Sequence, residues 1–258
     1  MNVSGLAAVV TGGGSGLGEA TVREMCAQGM QVAALDLNEE ALQSVAAETG
    51  ALPLVCDVSD EQSAQSALQQ ASERHGVARL LVNCAGIAPP QRIVSREGAS
   101  PLADFARVIN VNLIGTYNMM RLFAEALIPQ EPLTDAEADD GERGVIVNTA
   151  SVAAYDGQIG QAAYSSSKGA VVSLNLVAAR EFASFGIRTM AIAPGLMGTP
   201  MLTGLPEEAQ ISLAGQVPFP KRLGNPQEFA SLVSEICRNR LLNGEVIRLD
   251  GAIRMAPR

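Results

Sequence analysis

Short apolar runs alternate with stretches of 10–15 residues at helical spacing along nearly the whole of this chain. The runs fall at residues 6–11, 31–35, 51–57, 79–84, 144–150, 187–193 and 245–249. Strand and helix repeated in this order predict an α/β domain with a doubly wound parallel sheet. Such a sheet takes its ligand at the carboxyl ends of its strands. The glycine-rich and polar signatures of the chain fall at those ends: residues 11–18, Asp36, Asp57, residues 83–86, Ser151 and residues 194–199. Packing alone does not ask for that coincidence.

Composition sets the outer bounds. With 258 residues, 47% of them hydrophobic, the chain suits one large α/β core better than two small ones, so residues 1–258 read as a single domain. A net charge of −9 argues against nucleic acid as a partner. No run of about 18 apolar residues predicts a membrane span, and the first strand begins too early for a leader peptide to be expected. Cys26, Cys56, Cys84 and Cys237 are scattered, without metal-like spacing, and read as reduced thiols of a cytoplasmic protein. His75 is the only histidine, so no metal site and no histidine-based triad is expected.

The first strand runs into T-G-G-G-S-G-L-G, residues 11–18, and then a helix to about residue 28. Gly12, Gly16 and Gly18 form either a tight turn or a loop whose amides, with the helix N-terminus, hold a pyrophosphate. The second strand ends at Asp36, which can cap the next helix or accept hydrogen bonds from both hydroxyls of an adenosine ribose. The second reading favours NAD over NADP, since no basic residue stands nearby to meet a 2′-phosphate. Arg92 and Arg96 lie in a loop over residues 87–102, either as solvated charges or as an anchor for substrate phosphates. Asn112 sits inside a helix expected over residues 104–127, where asparagine is a poor choice unless its side chain has a specific partner. Tyr117 and Arg121 on that helix are read as structural. Residues 129–143 are acidic and read as an exposed loop, and residues 196–220 as a mobile lid over an apolar substrate.

Tyr164 and Lys168 stand four apart and share a helix face. They are either a solvated pair or an acid/base site in which the ammonium lowers the phenol pKa toward neutrality. Only two of the 18 basic residues are lysine, so a position needing charge alone would more naturally be arginine. Apolar residues on several faces of the same helix, over residues 170–177, predict deep burial or a subunit contact.

Taken together, Thr11–Gly18, N-C-A-G at 83–86, P-G-L-M-G-T at 194–199 and the set Asn112, Ser151, Tyr164 and Lys168 resemble the short-chain dehydrogenase/reductase family over nearly the whole chain. The interval from Ser151 to Tyr164 fits as well. The C-terminal half is similar to the branch of that family acting on 3-hydroxyacyl-CoA, while the loop over residues 88–102 departs from it. The resemblance implies a Rossmann-like sheet of about seven strands that binds NAD. In it Gly12, Ser15, Gly16, Leu17, Gly18, Asp36, Asp57 and Val58 hold the adenosine and pyrophosphate. Asn83, Cys84, Ala85, Gly86, Pro194, Met197 and Thr199, with Tyr164 and Lys168, line the nicotinamide side. It further implies that Tyr164 takes the proton of a secondary alcohol, that Ser151 and Gln161 touch the substrate, and that Asn112 breaks its helix and holds a water leading to Lys168. The implied reaction converts 3-hydroxyacyl-CoA to 3-ketoacyl-CoA in lipid metabolism, by a cytoplasmic homotetramer. Dehydrogenation of steroids or other alcohols, 3-ketoacyl reduction, and non-catalytic dinucleotide binding are the alternatives.

Overall fold

The computed structural model describes residues 1–134, 140–204 and 206–257. Seven parallel strands form one sheet: β1 (Ala7–Thr11), β2 (Gln31–Asp36), β3 (Leu52–Val55), β4 (Leu80–Asn83), β5 (Gly144–Thr149), β6 (Ile187–Pro194) and β7 (Val246–Leu249). Their spatial order is β3-β2-β1-β4-β5-β6-β7, so the winding reverses between β1 and β4. That reversal opens a crevice at the strand ends, the place where doubly wound sheets bind ligands. Residues 135–139, within the acidic loop expected over 129–143, lie outside the described residues.

Strand alternation builds both cores. Val10, Ala34, Val82 and Val147 face one side of the sheet, with Met25 of α1 (Gly16–Ala27), Leu42 of α2 (Glu39–Thr49) and Phe229 of α9 (Pro226–Arg238). Val9, Leu35, Leu81 and Ile146 face the other, against Ala67 of α3 (Glu61–His75), Phe123 of α5 (Gly115–Leu127) and Ala178 of α6 (Ala162–Phe182). Each large aliphatic or aromatic side chain so buried contributes about 1.5–3 kcal/mol. Short polar caps fix where helices begin. Asn38 accepts from Ala41 N at 3.1 Å and Asp60 from Ser63 N at 2.7 Å, while Asn225 and Glu228 form a capping box.

Two elements depart from expectation by more than a residue at one end. The third strand stops at Val55 instead of residue 57, because it is an edge strand whose single partner, β2, ends at Asp36 opposite Val55. The helix expected over residues 104–127 is three pieces: α4 (Leu102–Ile109), a π-helical turn (Asn110–Ile114) and α5. Asn112 lies in the π turn, so the chain is wound wider where an asparagine was out of place. Two more helices, α7 (Pro200–Thr203) and α8 (Glu207–Gly215), follow β6 and precede α9. No described helix is long and apolar enough to cross a membrane.

Candidate active site

A cleft of about 710 Å³ runs along the carboxyl ends of the strands. Its floor is main chain. Gly12 adopts φ +65°, and a Cβ there would lie 2.8 Å from Ala85 N. A Cβ on Gly18 would lie 2.0 Å from the Gly12 carbonyl, so α1 can begin against the turn only because Gly18 lacks one. Thr11 Oγ1 ties this turn to the next loop, accepting from Cys84 N at 3.1 Å and Ala85 N at 3.2 Å. Ser15, at the N-cap of α1, makes no side-chain cap, and Gly16, Leu17 and Gly18 line the cleft. The first turn of α1 therefore presents uncapped amides, a setting that favours an anion.

Asp36 lies on the same wall, its Oδ2 accepting from Gly14 N at 3.1 Å and its Oδ1 from Asn38 N at 3.0 Å. The helix cap is Asn38 and not Asp36. Asp57 and Val58 line the cleft beside Asp36. Val58 is fixed by Asn118 Nδ2, which donates to its carbonyl at 2.9 Å. A close approach by Gly115 adds to this, since a Cβ there would meet the Val58 side chain at 2.6 Å. Cys84, Ala85 and Gly86 line the cleft; Asn83 does not. Asn83 is buried, and its Nδ2 donates to Asn148 Oδ1 at 2.9 Å across the β4–β5 pair, so its place is in the sheet.

The second wall comes from β5 and α6. Ser151 follows β5 and is buried, its Oγ accepting from Ala153 N at 3.1 Å. Tyr164 and Lys168 rise from α6 into the same space. Lys168 is 4% exposed, and its Nζ donates to the Thr149 carbonyl at 2.6 Å and stands 5.8 Å from the Tyr164 ring centroid. Asn112 does not line the cleft. Its Nδ2 donates to the Ile87 carbonyl at 2.9 Å and to Ser167 Oγ at 3.1 Å, and its Oδ1 accepts from Ile87 N at 2.8 Å. It thus clamps the loop after β4 to α6. Its Oδ1 and Lys168 Nζ are two of the atoms nearest to a Cβ built on Gly86, at 3.2 and 3.7 Å.

The protonation of the pair departs from the expectation drawn from sequence. Burial pushes the Tyr164 phenol up, opposed by the Ser151 side chain. Burial also brings Lys168 down to about 8. Both shifts disfavour the charged form, as burial must. Lys168 spends its shortest hydrogen bond on a carbonyl, and the phenol gains no hydrogen bond from it. Within the chain alone burial opposes the phenolate, while an amine near 8 still carries its proton at neutral pH.

The family model for short chain dehydrogenases matches residues 6–210. The chain belongs to that family. Over 260 residues it is 51% identical to the 3-hydroxyacyl-CoA dehydrogenase type-2 of Bos taurus, covering 99% of this chain and 98% of the relative. The Drosophila melanogaster protein of the same name is 50% identical over 253 residues, covering 96% and 97%. The crystal structure of the 3-hydroxyacyl-CoA dehydrogenase type-2 from Mycobacterium avium superposes with a TM-score of 0.92 at 43% identity, covering 98% of each chain.

As a short-chain dehydrogenase the chain is an oxidoreductase that uses a nicotinamide dinucleotide, and the cleft fits one. Uncapped amides at α1 suit a pyrophosphate, Asp36 suits a ribose diol, and the Tyr164–Lys168 wall stands at the other end. Pro194, Met197 and Thr199 line the cleft where β6 ends, and the Thr199 side chain would meet a Cβ on Gly16 at 3.2 Å. Gln161 lines it at the start of α6, and its Oε1 is buried without a hydrogen-bond partner. Arg92 and Arg96 do not line it; they are exposed on a hairpin of Val94–Ser95 and Gly98–Ala99. Tyr117, read as structural, is 52% exposed, and Arg121 bonds Glu61 at 2.7 Å. Sequence reasoning missed Met255, which the fold brings into the cleft wall from near the far end of the chain. No local pattern marks it; the tail that carries it is placed by long-range contacts.

Proposed function

We propose that this short-chain dehydrogenase oxidises the secondary alcohol of a 3-hydroxyacyl-CoA to the ketone, with NAD as acceptor. The observation that carries the reading is the meeting of Ser151, Tyr164 and Lys168 on one wall of a cleft whose other end holds Asp36. The acyl-CoA substrate is taken from the relatives named above, which cover nearly the whole chain. Asp36 supports NAD over NADP, since its carboxylate would repel a 2′-phosphate.

Tyr164, as phenolate, takes the proton from the substrate hydroxyl. When bound, oxidised nicotinamide would supply the acceptor for the hydride leaving the substrate carbon, and a positive charge that favours phenolate. Ser151 Oγ donates to the substrate oxygen as charge develops there. Lys168, anchored on Thr149, supplies the ammonium that favours phenolate when protonated and orients the nicotinamide ribose. Asn112 acts through others, holding Ile87 and α6 in register, and water toward Lys168 would be held from this π turn. Gln161, on the cleft wall one turn before Tyr164, is taken as a substrate contact. The segment over residues 196–220 serves as the lid.

Steroids and other apolar alcohols are a second reading, favoured by apolar cleft residues such as Leu196, Met201 and Leu202. Comparing rates on 3-hydroxybutyryl-CoA with a steroid panel separates the two. The acyl-CoA reading expects the thioester to lead by at least tenfold, and a steroid leading by that margin would reverse it. Exposed Leu176 and Val177 on α6 support a homo-oligomer, taken here as a tetramer and testable by sedimentation. Four free cysteines suit a cytoplasmic setting.

A further inference from the structure

The chain after β7 is lashed across the cleft side of the molecule by one arginine. Arg248 Nε donates to Asp250 Oδ2 at 2.7 Å, and its Nη2 donates to Asp156 Oδ2 at 2.6 Å and to the Ile253 carbonyl at 3.0 Å. Its guanidinium also lies 5.3 Å from the Tyr155 ring centroid. Arg248 holds the Asp156 carboxyl below the usual carboxylate range, and Asp156 Oδ2 accepts a longer bond from Met255 N at 3.4 Å. Two further bonds continue the strap: Gln158 Nε2 donates to the Ala256 carbonyl at 2.9 Å, and Ile159 N donates to the Pro257 carbonyl at 3.0 Å. The stretch so bound lies between Ser151 and Tyr164. The arginine therefore joins the tail to the segment that separates two site residues.

The strap delivers one side chain to the cleft. Met255 lines it, and also packs on the buried cluster of Leu196, Val217 and Ile253, which Leu202 of α7 and Leu213 of α8 complete. Met255 thus touches both the substrate space and the underside of the lid. A methionine is unbranched and adaptable, and fills an irregular apolar space. Arg248, Asp156 and Asp250 are sheltered, with side chains 21%, 13% and 7% exposed, so their geometry is better fixed than that of a surface pair.

We propose that Met255 sets the size of acyl or alkyl group the cleft admits, and that the Arg248–Asp156–Asp250 clamp is the positioning device that holds it there. This rests on the reaction class proposed above. A tail that merely ties down the fold would affect stability without touching selectivity.

The test is a selectivity ratio. Full-length Met255→Ala, Arg248→Gln and Arg248→Lys proteins are assayed with NAD on 3-hydroxybutyryl-CoA and 3-hydroxyoctanoyl-CoA. Met255→Ala is expected to raise the octanoyl-to-butyryl ratio of kcat/KM about tenfold, within the range that hydrophobic pockets deliver, mainly through KM and with NADH affinity retained. Arg248→Gln shifts the ratio in the same direction, and Arg248→Lys, which keeps the charge, recovers part of the parent's value. Should Arg248→Gln not fold, Asp156→Asn weakens the clamp from its other side and must move the ratio likewise. A ratio within twofold of the parent in Met255→Ala overturns the role of Met255; the same result in the clamp variants overturns the clamp. If the parent turns over no acyl-CoA, the substrate reading fails separately, and the ratio of bulky to small secondary alcohols decides Met255. A parent inactive on every secondary alcohol overturns both.

Discussion

At the nucleotide end of the cleft the walls are main chain, and at the substrate end they are side chains. Gly12 and Gly18 have no room for a methyl group, and Thr11, Asp36 and Asn118 bond the neighbouring backbone directly. Across the cleft, Leu196, Met201, Leu202, Gln161 and Met255 come from three separate segments. Residues of the proposed lid nearby are well exposed, Met201 at 55% and Ile211 at 65%. A backbone-built site tolerates almost no change and holds one ligand shape. A side-chain-built site can be resized by single substitutions without disturbing the fold. The difference teaches where this fold leaves room for substitution and where it leaves none.

Four substitutions, taken from the largest expected effect to the smallest, would break or sharpen that contrast. Lys168→Met, at the seam between the two ends, is expected to reduce turnover by about 10³-fold or more, read by steady-state NADH formation. It also has a stability signature. With its folded pKa near 8 against 10.5 in the unfolded chain, Lys168 is penalised by about 3 kcal/mol wherever it is charged in the folded state. Between these values the unfolded chain binds the proton that the folded chain lacks, so the parent gains stability as pH rises through the window. The parent's stability relative to Lys168→Met, followed by denaturant unfolding from pH 7.5 to 10.5, should climb; a flat difference contradicts the burial argument.

Gly18→Ala tests the main-chain wall. Its Cβ would be driven into the Gly12 carbonyl, so a loss of about 3 kcal/mol of stability, or of NADH binding by a comparable margin, is expected. Stability and affinity both within 0.5 kcal/mol of the parent, about the scatter of neutral substitutions, would mean the turn is looser than its geometry. Asp36→Ala removes a charged acceptor worth about 1.5–3 kcal/mol. The ratio of kcat/KM with NAD to that with NADP should fall about 10- to 100-fold, and equal use of both cofactors by the parent would refute the ribose reading. Ile211→Ser, on exposed α8, should change unfolding free energy by no more than about 0.5 kcal/mol. A larger loss would show that the lid is packed against something the isolated chain does not contain.

Sequence disclosed the nucleotide end more fully than the substrate end, for a physical reason. A glycine turn, an acidic strand end and an N-cap are local, each set by a few consecutive residues and the backbone they demand. Asn112 was also legible, because an asparagine inside a helix needs a partner, and it found Ile87 and Ser167. Met255 could not be read, because its place depends on Arg248 meeting Asp156, 92 positions away in the chain. Asn83 was placed on the cleft by its motif, yet its side chain is spent on Asn148 within the sheet. The burial that opposes ionisation of Tyr164 and Lys168 was not legible, because four-residue spacing reports proximity and says nothing of burial.

That last point is also the centre of the account, which assigns the proton to Tyr164 and makes its ionisation depend on Lys168 and the bound cofactor. The most direct test compares the parent with Tyr164→Phe, measuring NADH affinity by fluorescence and single-turnover oxidation of 3-hydroxybutyryl-CoA by NAD across pH 6 to 10. The account predicts that Tyr164→Phe binds NADH within about threefold of the parent. It should oxidise the substrate at least about 10³-fold more slowly and lose the rise in rate with pH that the parent shows. Turnover by Tyr164→Phe within a few fold of the parent, with the same pH profile, would contradict it.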